Sequence, residues 1–253
     1  MRVSVLESPQ AVGDRAAARV AQVLASASRP VLGLPTGRTP LPMYARLRTA
    51  GLDWSAVRTF NLDEFVGLAP SAPGSFRRYM DEQLFAAAGL APARIGFLRG
   101  DTADAAAECR RYDRAIEAAG GLDLLVCGLG ANGHIGFNEP GPQLWGPTHV
   151  AILHPGTRAA NAALFGGDAD AVPERALTMG MTAILRARAV LVLATGAAKA
   201  AAVAAMIDGP LTTALPASWL QVHGAVEVLL DPAAAAMLPA AVVGVEISRS
   251  PRP

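Results

Sequence analysis

The residues best suited to chemistry lie in a glycine-rich stretch, GLGANGHIGFNEP, directly after the apolar run Leu122–Cys127. A short apolar run of this kind is typical of a strand that is buried on both faces. The stretch then supplies His134 and Glu139, and a carboxylate beside an imidazole fixes its tautomer and raises its basicity. We therefore predict a proton-transfer pair at the end of a buried strand. The alternative is a glycine-rich turn around a hydrogen-bonded core histidine.

Two adjacent acids, Asp63 and Glu64, follow the apolar run Val57–Leu62 in the segment TFNLDEFVGL. Neighbouring side chains point in different directions, so at most one of the two carboxylates can face a cleft at the end of the strand. A carboxylate in this position caps a helix or a turn more often than it acts as a catalyst. The residues alone leave the two roles open.

An anion site is predicted after the apolar run Pro30–Leu34, in the segment PTGRTPLPMY. Its candidate residues are Thr36, Gly37, Arg38 and Thr39. We expect Thr39 to be the N-cap of a helix that begins at Pro40. Such a turn offers backbone N–H groups, hydroxyls and the positive end of a helix dipole, which together suit phosphate. An ordinary strand–helix turn is the alternative, because the spacing is not that of a nucleotide-binding P-loop.

Lys199 is the single lysine of a chain that contains 21 arginines. It follows the apolar run Ala189–Ala194 in the segment TGAAK, where we expect it on the first turn of a helix. A bias towards arginine would replace any lysine that serves only as a solvated charge, so this ammonium group is a candidate phosphate ligand. Chance retention of a solvent-facing lysine is the alternative.

Seven apolar runs that alternate with amphipathic segments must position these candidates. The predicted strands are Val3–Leu6, Pro30–Leu34, Val57–Leu62, Ile95–Leu98, Leu122–Cys127, Ala189–Ala194 and Val226–Leu230, and the predicted helices lie near 10–27, 40–50, 75–88, 103–119, 157–165, 177–187 and 196–208. This alternation predicts an α/β fold with an open doubly wound, mostly parallel sheet (Rossmann-like) and helices on both faces. Ligands of such sheets bind at the carboxyl ends of the strands, where the candidate residues lie.

The same pattern predicts the organisation of the rest of the chain. We expect a single domain over residues 1–253, a loop or lid at 140–155, and an edge strand or a tail after about residue 238.

Composition argues against several classes of function. The formal net charge is +1, with no basic block or acidic tail, so we expect neither nucleic acid nor a membrane as a partner. No cysteine and histidine spacing fits a metal site. Two scattered cysteines, Cys109 and Cys127, fit a reducing compartment, so we expect a cytoplasmic protein.

Four segments resemble the glucosamine-6-phosphate deaminase (isomerase) family in the same order, and the resemblance covers almost the whole chain. They are LGLPTGRTPLPMY, TFNLDEFVGL, GLGANGHIGFNEP and VPERALTMGM. The resemblance implies a cofactor-free isomerisation and deamination of D-glucosamine 6-phosphate to D-fructose 6-phosphate and ammonia. It also implies that His134, oriented by Glu139, opens the sugar ring, that Asp63 moves a proton from C2 to C1, and that the 36–39 loop and Lys199 hold the phosphate.

Three departures from the family pattern have consequences. Asn132, which we group with the catalytic residues, stands where the allosteric deaminases carry an aspartate, and an amide cannot accept a proton. The phosphate-binding arginine of the family should fall at Ala163, and Arg38 could compensate for its absence. The serine, arginine and lysine of the allosteric site look replaced by Pro142, His149 and Ala151. This replacement implies a monomer or small homo-oligomer without activation by N-acetylglucosamine 6-phosphate.

Other functions remain open at this stage. A 6-phosphogluconolactonase would use His134 as a base for water and would not need Asp63. A deaminase for a related amino-sugar phosphate would use the same residues on another epimer. A non-catalytic sugar-phosphate sensor would keep the cleft without the reaction.

Overall fold

The computed structural model describes residues 1–239, and the ten strands in this part of the chain form two sheets. The strands are β1 (Arg2–Val5), β2 (Val31–Leu34), β3 (Arg58–Asn61), β4 (Asp63–Phe65), β5 (Ile95–Gly96), β6 (Leu124–Gly128), β7 (His149–Ile152), β8 (Arg175–Thr178), β9 (Val190–Ala194) and β10 (Val226–Leu230). Seven of them form one sheet in the order β1-β10-β9-β6-β2-β3-β5, with every pairing parallel. The predicted α/β fold is confirmed, and each of the seven predicted strands overlaps one strand of this sheet.

Helices cover both faces of the large sheet. They are α1 (Pro9–Ser26), α2 (Leu41–Thr49), α3 (Phe76–Met80), α4 (Ala86–Ala88), α5 (Ala105–Ala118), α6 (Pro155–Asn161), α7 (Met181–Leu185) and α8 (Ala200–Asp208). Strand β6 shows why its sequence is apolar throughout. Leu124 and Val126 belong to the core under α1 and α2, whereas Leu125 and Cys127 belong to the core under α5 and α8. A strand that is buried on both faces has no polar alternation.

The second sheet is small and antiparallel, in the order β4-β8-β7, and it was not predicted. The expected helix at 177–187 is wrong in its first turn, because β8 occupies Arg175–Thr178 and only α7 is helical. The expected loop at 140–155 likewise contains β7. Alanine and leucine favour helices, but this preference decides little by itself, and pairing with strands distant in the chain overrides it in β8.

Two helix starts differ from the prediction. Helix α2 begins at Leu41 with Pro40 as its N-cap residue, so Thr39 does not cap it. The Leu41 N–H donates to the Arg38 carbonyl in a tight turn, which leaves Thr39 outside the helix. Lys199 ends a 3₁₀ turn (Ala197–Lys199), and α8 begins one residue later. Thr39 therefore lies in the connecting loop, and Lys199 lies on a 3₁₀ turn that leads directly into α8.

Some expectations extend beyond the described part of the chain. The edge strand or tail after about residue 238 lies largely outside residues 1–239, and the single domain over 1–253 stays a prediction. Within residues 1–239, no helix has the length and apolar character that crossing a membrane requires.

Candidate active site

A cleft of about 810 Å³ opens at the carboxyl ends of the central strands. Strand β2 lies between β3 and β6 in the large sheet. The chain continues from β2 to β3 and β5 on one side and then crosses to β6 on the other side, so the strand order reverses at this point. Ligands bind at such switch points in open parallel sheets. Eight predicted site residues line this cleft, namely Thr36, Gly37, Arg38, Thr39, Asp63, Asn132, His134 and Lys199. The ninth, Glu139, lies behind His134 and contacts it.

Asp63 lies where the chain leaves the large sheet for the small one. It is the first residue of β4, separated from the last residue of β3 by Leu62 alone. Its side chain is 6% exposed, and Oδ1 has no hydrogen-bond partner among residues 1–239. Burial, together with the negative charge of Glu64, raises the pKa of Asp63 to about 8. A carboxyl group with such a pKa can exchange protons near neutral pH.

Glu64 points away from the cleft and caps the start of α3. Its Oε1 accepts from the N–H groups of Phe65 (2.8 Å) and Phe76 (3.0 Å), and its Oε2 accepts from Arg77 N–H (3.0 Å) and Ser75 Oγ (2.8 Å). Burial raises the pKa of Glu64, and these hydrogen bonds act in the opposite direction. Of the two adjacent acids, Asp63 therefore lines the cleft and Glu64 caps the start of α3.

The glycines of GLGANGH make room for the histidine of the same turn. A Cβ atom on Gly130 would lie 2.4 Å from the imidazole of His134, so the ring packs directly against the glycine backbone. Gly133 has a φ of +86°, which L-residues rarely adopt. This local geometry folds the turn back and holds His134 at the edge of the cleft.

His134, Glu139 and Asn132 form one hydrogen-bonded cluster. His134 Nδ1 lies 3.4 Å from Glu139 Oε2, and Asn132 Nδ2 donates to the same oxygen at 2.8 Å. Asn132 Oδ1 accepts from the His134 backbone N–H at 3.2 Å, so both ends of the amide are occupied. Burial alone would raise the pKa of Glu139, but hydrogen bonds from His134, Thr157 and Asn132 and the charge of His134 lower it to about 2. Glu139 is therefore an ionised acceptor at neutral pH.

Two cations face the opposite part of the cleft. Burial lowers the pKa of Lys199, and the positive charge of Arg38 lowers it further. Neither side chain forms an ion pair with a carboxylate of residues 1–239. The loop between β2 and α2 is held in place because Tyr79 Oη donates to the Gly37 carbonyl at 2.6 Å. An anion bound between the two side chains would relieve their mutual repulsion.

Helix α6 contributes cleft residues that the sequence did not reveal. Thr157, Asn161 and His154 line the cleft, and the His154 backbone N–H donates to Glu139 Oε1 at 3.3 Å. The sequence predicts a helix at 157–165, but this helix follows no strand of the large sheet, so its residues carried no positional signal.

The fold and the cleft define an α/β protein whose central cleft combines a carboxyl group of raised pKa and a histidine–glutamate pair with two cations. Residues 7–137 and 146–229 match the family described as glucosamine-6-phosphate isomerases/6-phosphogluconolactonase. The chain belongs to this family.

Individual proteins that are similar to this chain over most of its length include two glucosamine-6-phosphate deaminases. The chain is 45% identical over 213 residues to the glucosamine-6-phosphate deaminase of Geobacillus sp. (strain WCH70), covering 83% of this chain and 84% of that protein. It is 43% identical over 242 residues to the glucosamine-6-phosphate deaminase of Hahella chejuensis (strain KCTC 2396), covering 94% and 92%.

Among solved structures, a deaminase is more similar to this chain than a 6-phosphogluconolactonase is. A monomeric glucosamine-6-phosphate deaminase superposes with a TM-score of 0.90 at 38% identity, covering 94% of this chain and all of that one. The 6-phosphogluconolactonase of Thermotoga maritima has a TM-score of 0.72 at 20% identity, covering 91% and 99%, and it shares the fold. The lactonase is the more distant relative.

Proposed function

We propose that this protein is a glucosamine-6-phosphate deaminase, which converts D-glucosamine 6-phosphate and water to D-fructose 6-phosphate and ammonia. The observation that carries the proposal is the placement of Asp63. Its carboxyl group is buried, has an unpartnered oxygen and a raised pKa, and lines the same cleft as His134 and the two cations. The similarity to named deaminases supports the same reaction.

Ring opening is assigned to His134. Its Nδ1 contacts Glu139, so Nε2 is the nitrogen available to the substrate. The imidazole takes the proton of the anomeric hydroxyl and returns a proton to the ring oxygen as the C1–O5 bond breaks. The ionised Glu139 stabilises the imidazolium that forms between the two transfers. Asn132 is a structural partner in this step, because its amide cannot exchange a proton and already bonds to Glu139 and the turn.

Asp63 is assigned the aldose–ketose shift. Its carboxylate takes the proton from C2 of the open-chain amino sugar, and the electron pair moves to give an enolamine. Return of the proton to C1 gives an imine at C2, and addition of water to this imine releases ammonia and leaves the ketone. Every step is a proton transfer or a hydrolysis, so we propose that the reaction runs without a cofactor.

The phosphate is assigned to the loop between β2 and α2 and to Lys199. Hydroxyls of Thr36 and Thr39 and the charges of Arg38 and Lys199 line this part of the cleft. Binding at the phosphate is remote from the reacting carbons, and such binding energy positions them for proton transfer.

Ammonia release provides the test. We expect wild-type protein to form ammonia and fructose 6-phosphate in equal amounts from glucosamine 6-phosphate, and Asp63→Asn to lower kcat by about 10²–10⁴-fold, the usual effect of a general base. Hydrolysis of 6-phosphogluconolactone that survives in Asp63→Asn would support the lactonase instead. Calorimetric binding without turnover would support the sensor. A panel of hexosamine 6-phosphates would separate the gluco substrate from its epimers.

We also propose a cytoplasmic location. Cys109 and Cys127 are both buried free thiols, which suits a reducing compartment. Fractionation of the source cells would test it, and recovery outside the cytoplasmic fraction would contradict it.

A further inference from the structure

Thr157 joins α6 to the proton-transfer pair. Its side chain is buried, at 4% exposure, whereas its neighbours His154, Gly156 and Ala159 are exposed. Thr157 Oγ1 lies 3.4 Å from His134 Nδ1, and the Thr157 hydroxyl also helps to lower the pKa of Glu139 against the effect of burial. The hydroxyl therefore contacts His134 and influences Glu139.

The contacts of Nδ1 decide which nitrogen of His134 can act as a base. Nδ1 lies 3.4 Å from Glu139 Oε2 and 3.4 Å from Thr157 Oγ1. An ionised carboxylate can only accept hydrogen bonds, whereas a hydroxyl both donates and accepts. The arrangement is satisfied when Nδ1–H donates a hydrogen bond to Thr157 Oγ1 and the Thr157 hydroxyl donates a hydrogen bond to Glu139. Nε2 then remains unprotonated for the substrate.

We propose that Thr157 is a positioning residue for His134, with a hydroxyl that accepts from Nδ1–H, donates to Glu139 and so holds Nε2 towards the cleft. The catalytic part of this inference rests on the deaminase function proposed above. Each of the two contacts to Nδ1 is 3.4 Å long, which is longer than a typical N–H···O hydrogen bond, so neither would fix the ring by itself. Two such contacts from different elements together restrict the rotation of the ring and the exchange of its tautomers.

Three threonine variants test the proposal by kinetics. Thr157→Val removes the hydroxyl and keeps the shape, Thr157→Ser keeps the hydroxyl, and Thr59→Val is the matched control. Thr59 is fully buried on β3, and its Oγ1 has no partner within residues 1–239. We expect Thr157→Val to lower kcat about tenfold, the effect of one hydrogen bond, with KM changed less than about threefold. Thr157→Ser should restore kcat, and Thr59→Val should match wild type. An unchanged kcat in Thr157→Val, or an equal loss in Thr157→Ser, would overturn the proposal.

Nitrogen NMR of histidine-labelled protein gives a second readout that needs no turnover. At a pH where the imidazole is neutral, we expect a protonated Nδ1 on His134 in wild type and Thr157→Ser, and a mixture of tautomers in Thr157→Val. A His134→Gln sample identifies the signals. Wild-type protein with the proton on Nε2, or a Thr157→Val variant with the wild-type tautomer, would overturn the proposal even if that variant folded poorly. If wild type releases no ammonia from any hexosamine 6-phosphate, the proposed function fails, and the tautomer measurement still decides the role of Thr157.

Discussion

Asp63 has two properties that act against each other at neutral pH. Proton abstraction requires its carboxylate form, but burial and the charge of Glu64 raise its pKa to about 8. A poorly solvated carboxylate is a stronger base than one in water, which suits removal of a proton from carbon. The burial that makes Asp63 a strong base therefore also keeps most of it protonated at neutral pH.

The pH dependence of the reaction follows from this conflict. We expect kcat/KM to rise with pH, about tenfold per pH unit well below the pKa, because only the ionised fraction of Asp63 reacts. The rise should level off above about pH 8. Initial rates of ammonia release across this range, at saturating coupling enzyme, provide the measurement. A profile that is already flat at about pH 6 would show that a group with a lower pKa limits the rate.

The stability of the protein should depend on pH with the opposite sign. An acid whose pKa rises from 3.8 to about 8 on folding holds its proton more tightly in the folded state. Its contribution to folding is therefore fully present below pH 3.8 and is lost as the pH rises through about 8. Glu64, whose pKa burial also raises, acts in the same direction. We expect Asp63→Asn to exceed wild type in unfolding free energy by ~1–3 kcal/mol at about pH 9, and by much less at about pH 4. Urea denaturation at both pH values would isolate the Asp63 contribution.

Arg38 should act on substrate binding rather than on proton transfer. It lies near Lys199 in the part of the cleft assigned to the phosphate, and it has no carboxylate partner among residues 1–239. We expect Arg38→Gly to raise KM about 10–100-fold, the effect of one charge-assisted hydrogen bond, with kcat changed less than about threefold. Competitive inhibition by inorganic phosphate should weaken by a similar factor. Arg46→Ala is the control, because it removes an exposed arginine from α2 and gives the same net charge as Arg38→Gly. It should leave KM and kcat unchanged. An unchanged KM in Arg38→Gly would rule out this role.

At the scale of elements, Glu64 connects the small sheet to α3. Its two oxygens satisfy donors of Ser75, Phe76 and Arg77 at the start of that helix. We expect Glu64→Gln to lower the unfolding free energy by about 2–4 kcal/mol, because the new amide group faces donors and leaves buried N–H groups without an acceptor. The kcat per folded molecule should stay within about threefold of wild type. Asp63→Asn should instead lower kcat strongly without lowering the unfolding free energy. Urea denaturation and rate measurements on the two variants therefore show which acid caps the helix and which acts as the base. A large loss of kcat with normal stability in Glu64→Gln would exchange the assigned roles.

The large sheet could be predicted from the sequence because its strands are buried on both faces. Such strands are continuous apolar runs, and the helices between them are amphipathic. The small sheet could not be predicted in this way. Strand β4 has three residues, two of them acidic, and its partner β8 pairs Thr178 with Asp63, far away along the chain. Short strands whose pairing depends on distant segments carry little local signal.

The cleft residues that follow the large sheet could likewise be predicted, whereas those that follow the small sheet could not. Asp63, the turn that carries His134, and Lys199 each follow a strand of the large sheet, and the ends of parallel strands meet at one edge. Their meeting could therefore be inferred without coordinates. Thr157 reaches His134 from α6, a helix that follows β7 of the small sheet. Because that sheet was not predicted, the position of α6 over the cleft could not be predicted either.

At the scale of the whole molecule, the cleft is built from the loops of a single chain. The proposed anion-binding residues lie after β2 and β9, and the proposed proton-transfer groups lie after β3 and β6. Eight of the nine site residues proposed from the sequence lie in the segments that follow β2, β6 and β9, and the ninth, Asp63, is the first residue of β4. We therefore expect that the chemistry of this cleft needs no residue from a second subunit.

The positions at which the family resemblance implies an allosteric anion site lack the arginine and the lysine that would bind the anion. His149 and Ala151 lie on β7 at two of the corresponding positions. Burial lowers the pKa of His149, although a contact with the Pro147 carbonyl and the charge of Asp113 act in the opposite direction. Ala151 has no polar group. These positions offer little attraction to the phosphate of an effector.

Rate curves should therefore be hyperbolic. Cooperativity requires coupling between at least two sites, and we predict that each chain works through its own cleft without such coupling. We expect light scattering to give a mass of 26.0 kDa across a wide concentration range, and the dependence of rate on glucosamine 6-phosphate to have a Hill coefficient of about 1. Added N-acetylglucosamine 6-phosphate should not activate the enzyme at any substrate concentration. Restoring positive charge with Ala151→Lys would not create activation on this account, because a charge alone supplies no second state to stabilise. A sigmoidal curve that N-acetylglucosamine 6-phosphate makes hyperbolic would contradict the prediction and would require an assembly of several chains.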